Sequence, residues 1–237
     1  MIFKKPLGYF KQKTLLTMYY YYKFKGHKSQ NVIDKPSEVV YVPVRLIEYQ
    51  VQDARLLPAK RTDQFLFKTI RITGIIADGS WDIQKKKFIN SLAYIAFKER
   101  FIEGKEWEDT VYYHKFINGL KRKGEAKRDC KTWPEYKERH LKRWERLYDD
   151  IKKYGYKSQS ELSGTQEKEI EVCVSRKGEI LFRDGRHRLA IAKLLEVEEI
   201  PVVVNIWHRD YIDDLKKNAN IRITPREALK TILGEKA

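Results

Sequence analysis

With 237 residues and 42% of them hydrophobic, the chain has material for one sizeable globular domain and is neither fibrous nor disordered in composition. Its net charge of +16 points to a polyanion partner (nucleic acid, an anionic membrane surface or a nucleotide) or to a lysine-rich solubilising surface. No run of about 18 apolar residues occurs, so no helical membrane span is expected. Two cysteines, Cys130 and Cys173, lie far apart in no zinc-ligand spacing, which fits a reduced, cytoplasmic setting.

Residues 1–38 read as a basic, aromatic arm. Lys4, Lys5, Lys11, Lys13, Lys23, Lys25 and Lys28 carry +7 of the charge within residues 1–31, with no acid among them. Phe3, Tyr9, Phe10, Tyr19–Tyr22 and Phe24 are interleaved. The mixture suits phosphates and stacked bases, an anionic surface or a protein partner, and equally an arm packed back on its own domain. Leu15–Met18 is short and lacks a small-residue cleavage site after it, so no signal peptide is expected.

Val39–Ile47 is β-branched and predicts a strand, with Pro43 marking an end or edge. A second strand is predicted at Phe65–Thr73, and Gly74–Trp81 reads as a loop. From Gln84 the apolar period becomes helical. Helices are predicted over 84–103, Trp107–Leu120 and Glu135–Tyr154, the last with Leu141, Trp144, Leu147 and Ile151 on one stripe and Gly155 at its stop. Ser158–Glu169 is a polar connection. Ile170–Val174 alternates as a half-buried strand, Lys177-Gly178 turns a hairpin, and Ile180–Phe182 returns. Arg186–Leu195 is the next helix and Ile200–Ile206 a buried strand. The tail, 211–237, holds Tyr211–Asn218 and a helix at Pro225–Leu233 capped by Thr224. The expected class is therefore α+β: a mixed sheet with flanking helices over 39–210, and an inserted helical region at about 82–146.

Asp184-Gly185-Arg186-His187-Arg188 sits between a strand and a helix. A helix start presents unpaired N–H groups and a positive dipole end, and so attracts anions. Gly185 permits close approach, Arg186 and Arg188 offer bidentate forks for phosphate oxygens, and His187 adds a donor or proton carrier. Asp184 has four readings: helix cap, partner of an arginine, ligand of a phosphate-bound metal, or acceptor of a proton from a hydroxyl nucleophile. A plain cap with surface ion pairs is the bland alternative for the whole segment.

The run Ile180–Leu195 with Ile200-Pro201-Val202 resembles the nucleotide-binding core of the ParB/sulfiredoxin superfamily. Val42–Ile47 resembles that family's first strand, and Gly155-Tyr156-Lys157-Ser158-Gln159 the segment before its second; the likeness covers roughly 39–50 and 147–206. Arg186 stands where sulfiredoxins carry their reactive cysteine, which removes that chemistry. The glutamate of the partition proteins' Gly-Glu-Arg-Arg is missing, and about 30 residues follow Ile206, too few for their helix-turn-helix domain. The motif is nearest in form to the free serine kinases of this fold.

That resemblance implies phosphoryl transfer from a nucleotide (ATP, ADP or CTP) with Mg2+ to a small hydroxyl-bearing substrate. It implies catalytic roles for Asp184, Glu48 and His187, phosphate binding by Gly185, Arg186, His187 and Arg188, and magnesium at Asp184. The rival is a ParB-like nucleic-acid-binding protein whose basic arm holds DNA or RNA, with nucleotide as a switch, or a nuclease. Trp81-Asp82, Trp107, Asp109-Thr110 and His208 are weaker candidates for base or hydroxyl recognition; a tryptophan near a helix start is equally a core anchor.

Overall fold

The computed structural model describes residues 32–52, 73–123, 130–163, 169–218 and 223–234. The basic arm at 1–31 and positions 65–72 of the strand expected at Phe65–Thr73 lie outside them. The architecture is mixed α and β, built on a seven-stranded mixed sheet. The strands are β1 (Val39–Pro43), β2 (Tyr49–Val51), β3 (Ile75–Ala77), β4 (Lys85–Lys87), β5 (Ile170–Val174), β6 (Ile180–Asp184) and β7 (Glu199–His208). Their order is β1-β7-β5-β6-β2-β4, with β3 also beside β7. Pairs β5/β7, β2/β6 and β3/β7 are parallel; β1/β7, β5/β6 and β2/β4 are antiparallel.

The hairpin β5–β6 forms as its turn residues dictate. Gly178 takes a positive φ of 78°, and the Ser175 N–H donates to the Glu179 carbonyl. β5 is buried along its whole length, not half-buried as its alternation suggests. Val172 and Val174 face one layer. Cys173 faces the other, with Leu181, Ile206, Ala77 and Trp81. Glu171 on that second face accepts a bond of 2.9 Å from Asn205 Nδ2, where the β5/β7 register shifts and leaves Asn205 as the extra residue.

Three expectations are corrected by the strand pattern. The first strand stops at Pro43, which has no N–H to donate, and Val44–Leu46 is a 3-10 turn. The predicted loop at Gly74–Trp81 contains β3, whose three residues pair with Ile206–His208. The helix expected from 84 starts at Leu92, because Ser91 caps it by accepting the Tyr94 N–H; Lys85–Lys87 is instead β4, paired with β2.

The helices are α1 (Leu92–Phe101), α2 (Val111–Lys123), α3 (Trp133–Tyr136), α4 (Lys142–Tyr154), α5 (Gln159–Ser163), α6 (Arg186–Leu194), α7 (Arg209–Asn218) and α8 (Pro225–Leu233). Lys137–Leu141 is a π turn joining α3 to α4. Its extra residue carries the inward position from Tyr136 to Leu141, five residues on, so that Trp144, Tyr148 and Ile151 continue the buried stripe. Gly155 ends α4 at φ 77°. Thr224 and Glu227 form a reciprocal capping box on α8. The large core packs α6 and the inserted helices α1–α4 against one face of the sheet. Among the described residues no helix is long and apolar enough to cross a membrane.

Candidate functional site

The end of β6 delivers Asp184 to the surface, and α6 begins two residues later. Gly185 is the N-cap residue of α6, at φ 92° and ψ 26°, and offers no side chain to cap the helix. A Cβ at Gly185 would lie 3.1 Å from Ile170 Cγ1 and 3.2 Å from Ile170 Cα. Glycine is therefore required twice, by the left-handed backbone and by the closeness of β5. Asp184 Oδ1 accepts the Gly185 N–H at 2.7 Å. It thus braces the turn that leads into α6. Arg186 and Asp184 are both exposed. The result is a helix start with a positive dipole end and a cation on its first residue.

Arg188 turns inward. Its Nη2 lies 3.5 Å from the Gly185 Cβ position, and its Nη1 lies 3.6 Å from Oε2 of Glu169. Glu169 is fully buried, and its carboxylate also accepts backbone N–H groups of Gln159 and Ser160 at the start of α5. Burial pushes the Glu169 carboxyl above its ordinary range despite those bonds and Arg188. Beside Arg188 lies Tyr156, whose hydroxyl burial pushes up to about 12. Sequence reasoning missed Glu169 because it closes a polar stretch that reads as a connection. The signal was present in the hairpin: pairing outward from Lys177-Gly178 sets Glu171 opposite Asp184, which carries Glu169, two residues earlier, toward the start of α6.

His187 is held by the inserted helices. Its Nε2 is 3.0 Å from Tyr112 Oη. Its ring stacks on Trp144 at 4.1 Å between centroids and lies 5.6 Å from Phe97. These contacts fit a group that anchors α6 to the insertion better than a proton carrier or phosphate ligand.

The other expected site residues fall elsewhere. Tyr49 pairs with Leu181 in the parallel β2/β6 register, so Glu48 lies level with Ile180, four residues before Asp184. At about 3.3 Å per residue that is roughly 13 Å along the strands. Glu48 faces Lys87 at 3.6 Å. Trp107 and Thr110 are buried inside the insertion: Trp107 Nε1 donates to Glu145 at 2.8 Å and Thr110 Oγ1 to the Trp107 carbonyl at 2.7 Å. Asp109 donates its N–H to the Glu106 carbonyl within the same turn. Trp107 and Thr110 are anchors of the insertion's interior, and Asp109 is exposed on its surface.

Trp81, Asp82 and His208 do come together, but at the opposite end of the sheet from Asp184. Asp184 is level with Val203 of β7 through Glu171, and His208 lies five residues farther on, roughly 16 Å away. Asp82 is gripped by Arg176 through its N–H, Nε and Nη2 at 2.9–3.0 Å. Burial opposes the Asp82 charge, yet the Arg176 bonds outweigh it and hold the carboxyl below its ordinary range. His208 Nε2 lies 3.0 Å from the Gly79 carbonyl, and its Nδ1 accepts the Asp210 N–H at 3.2 Å. The cluster is a latch that closes the loop after β3 onto the β5–β6 hairpin.

Comparison with protein families, with curated proteins and with solved structures finds no match for this chain. Among the described residues no group of three or more His, Cys, Asp or Glu side chains is placed to hold a metal ion. Magnesium arriving on a nucleotide's phosphates would need few protein ligands, since this ion keeps most of its waters, and Asp184 is an exposed carboxylate at the helix start.

Proposed function

We propose that the chain is a nucleotide-binding protein of the ParB/sulfiredoxin kind that transfers a phosphoryl group to a small hydroxyl compound. The observation that carries this reading is the start of α6 at Gly185, with a left-handed cap residue, Arg186 at its rim, Arg188 in its wall and an exposed carboxylate, Asp184, at its mouth. The motif's likeness to the free serine kinases supports the same reading and names the reaction class.

In this mechanism the helix start, Arg186 and Arg188 hold the transferring phosphate and bind it alike before and during transfer. Asp184 accepts the proton of the substrate hydroxyl as its oxygen bonds to phosphorus and the bond from phosphorus to the nucleotide breaks. Asp184 would hold a magnesium ion that came with the nucleotide, and the ion would neutralise charge at the phosphates. Glu48 and His187 have no step, given their positions.

The test is transfer from ATP, ADP or CTP, each with magnesium, to a panel of small alcohols, amino acids and sugars. Asp184→Asn keeps an oxygen to accept the Gly185 N–H and loses the proton acceptor. Turnover is expected to fall by about 10²–10⁴-fold, with little change in nucleotide affinity measured without magnesium. Turnover equal to the parent's would remove Asp184 from the reaction. Turnover on no acceptor at all would count against a kinase and leave a binding role.

A further inference from the structure

We infer that Glu169 is a positioning residue, which holds the Arg188 guanidinium against the helix start so that its fork meets a bound phosphate. The inference rests on the phosphate seat proposed above and extends it inward to a carboxylate that no motif in the sequence marks.

Contacts of opposite charge run from α5 through Glu169 to Arg188. The start of α5 donates the N–H groups of Gln159 and Ser160 to Glu169. Glu169 faces Arg188, and Arg188 faces the start of α6. A phosphate at α6 completes the series. The side chains are deep: Glu169 is 0% and Arg188 14% exposed. A carboxylate is costly to bury unless its charge has a use or a close partner. Here the partner is incompletely engaged. The nearest ion-pair approach is 3.6 Å, and Arg188 Nη1, though buried, has no hydrogen-bond partner among the described residues.

That geometry orients the guanidinium without consuming it. One edge of the fork is drawn toward Glu169 by charge, and the other remains beside Gly185. Arginine has many rotamers and a planar fork, so fixing its plane raises affinity for a two-oxygen anion more than its bare charge does. A lysine in its place carries the charge but has no plane to fix.

The experiment measures steady-state KM and kcat, with direct binding of ATP, ADP and CTP in magnesium, for the parent, Glu169→Gln, Arg188→Lys and the double variant. Glu169→Gln is expected to raise KM and Kd about tenfold while kcat changes less than about twofold. Arg188→Lys is expected to give a similar rise, and in that background Glu169→Gln is expected to add little, the signature of two residues acting as one unit. Unchanged or tighter binding in Glu169→Gln would overturn the inference, as would additive effects in the double variant. Should Glu169→Gln not fold, Arg188→Lys decides alone: parent-like KM overturns the inference. A parent protein that binds none of the three nucleotides would sink the proposed function itself, whereas a binding parent with indifferent variants sinks only the role of Glu169.

Discussion

Gly185→Ala is expected to lower stability by about 2–3 kcal/mol and to weaken the proposed phosphate seat. An alanine at φ 92° sits in the left-handed region, which costs roughly 1–2 kcal/mol for a residue with a Cβ. Its methyl would also meet Ile170 Cγ1 at 3.1 Å and Ile170 Cα at 3.2 Å. The second of these is backbone of β5, which is paired on both sides by β6 and β7 and has little freedom to retreat. In a chain of this size the loss corresponds to a fall in melting temperature of roughly 5–10 °C. Relief of the clash moves the start of α6 away from β5, so nucleotide affinity is expected to fall at least tenfold. Thermal unfolding by circular dichroism and titration with ATP check the two halves separately. A variant as stable as the parent would show that Gly185 is not constrained as described.

Phe97→Ala is expected to be the most damaging single change to stability, at about 4 kcal/mol, or a fall of roughly 8–16 °C. Phe97 is 0% exposed. Its ring centroid lies 5.4 Å from Phe101, 5.6 Å from His187, 5.9 Å from Tyr112, 6.0 Å from Trp107 and 6.3 Å from Trp144. Removing it opens a cavity at the point where α1, α2 and α4 meet α6. Because His187 is the second residue of α6, the damage reaches the phosphate seat, and nucleotide affinity is expected to fall as well. Ile95, on the same helix but 38% exposed, is the control; its alanine variant is expected to cost under about 1 kcal/mol. Urea unfolding of the two variants measures the contrast. Equal small losses would mean that the insertion does not rest on Phe97.

The contrast between what the sequence announces and what it hides follows from the range of the interactions. The β5–β6 hairpin, the turn at Gly178 and the helix after Gly185 are local: turn chemistry and apolar period settle them within about 25 residues, and the structure contains them. β4 is hidden because Lys85-Lys86-Lys87 has no apolar pattern. It is held to β2 by backbone pairing, and its lysines suit an edge position. β3 is hidden by the glycines on either side of it, which signal a loop more strongly than three apolar residues signal a strand.

The site divides along the same line. Asp184–Arg188 is contiguous, so its position at a helix start could be read directly. The partners of that segment are remote: Tyr112 is 75 residues from His187, and Glu169 lies 19 positions before Arg188 in a stretch with no periodicity. Trp81, Asp82 and His208 were chosen for their chemistry, and the fold does gather them, but at the far end of the strands. Trp107 and Thr110 were chosen the same way and prove to be interior packing. Residue type suggests what a side chain can do; the sheet register decides which of them share a site.

The central claim is that phosphate rests on the start of α6. Calorimetric titration of the whole chain with ATP, ADP and CTP in magnesium, repeated on Arg186→Ala, tests it most directly, since Arg186 is exposed and its removal leaves the core untouched. At least one nucleotide is expected to bind the parent, and Arg186→Ala to weaken it by about 1.5–3 kcal/mol, or roughly ten- to hundredfold. Binding of none of the three, or binding that Arg186→Ala leaves unchanged, would contradict the account.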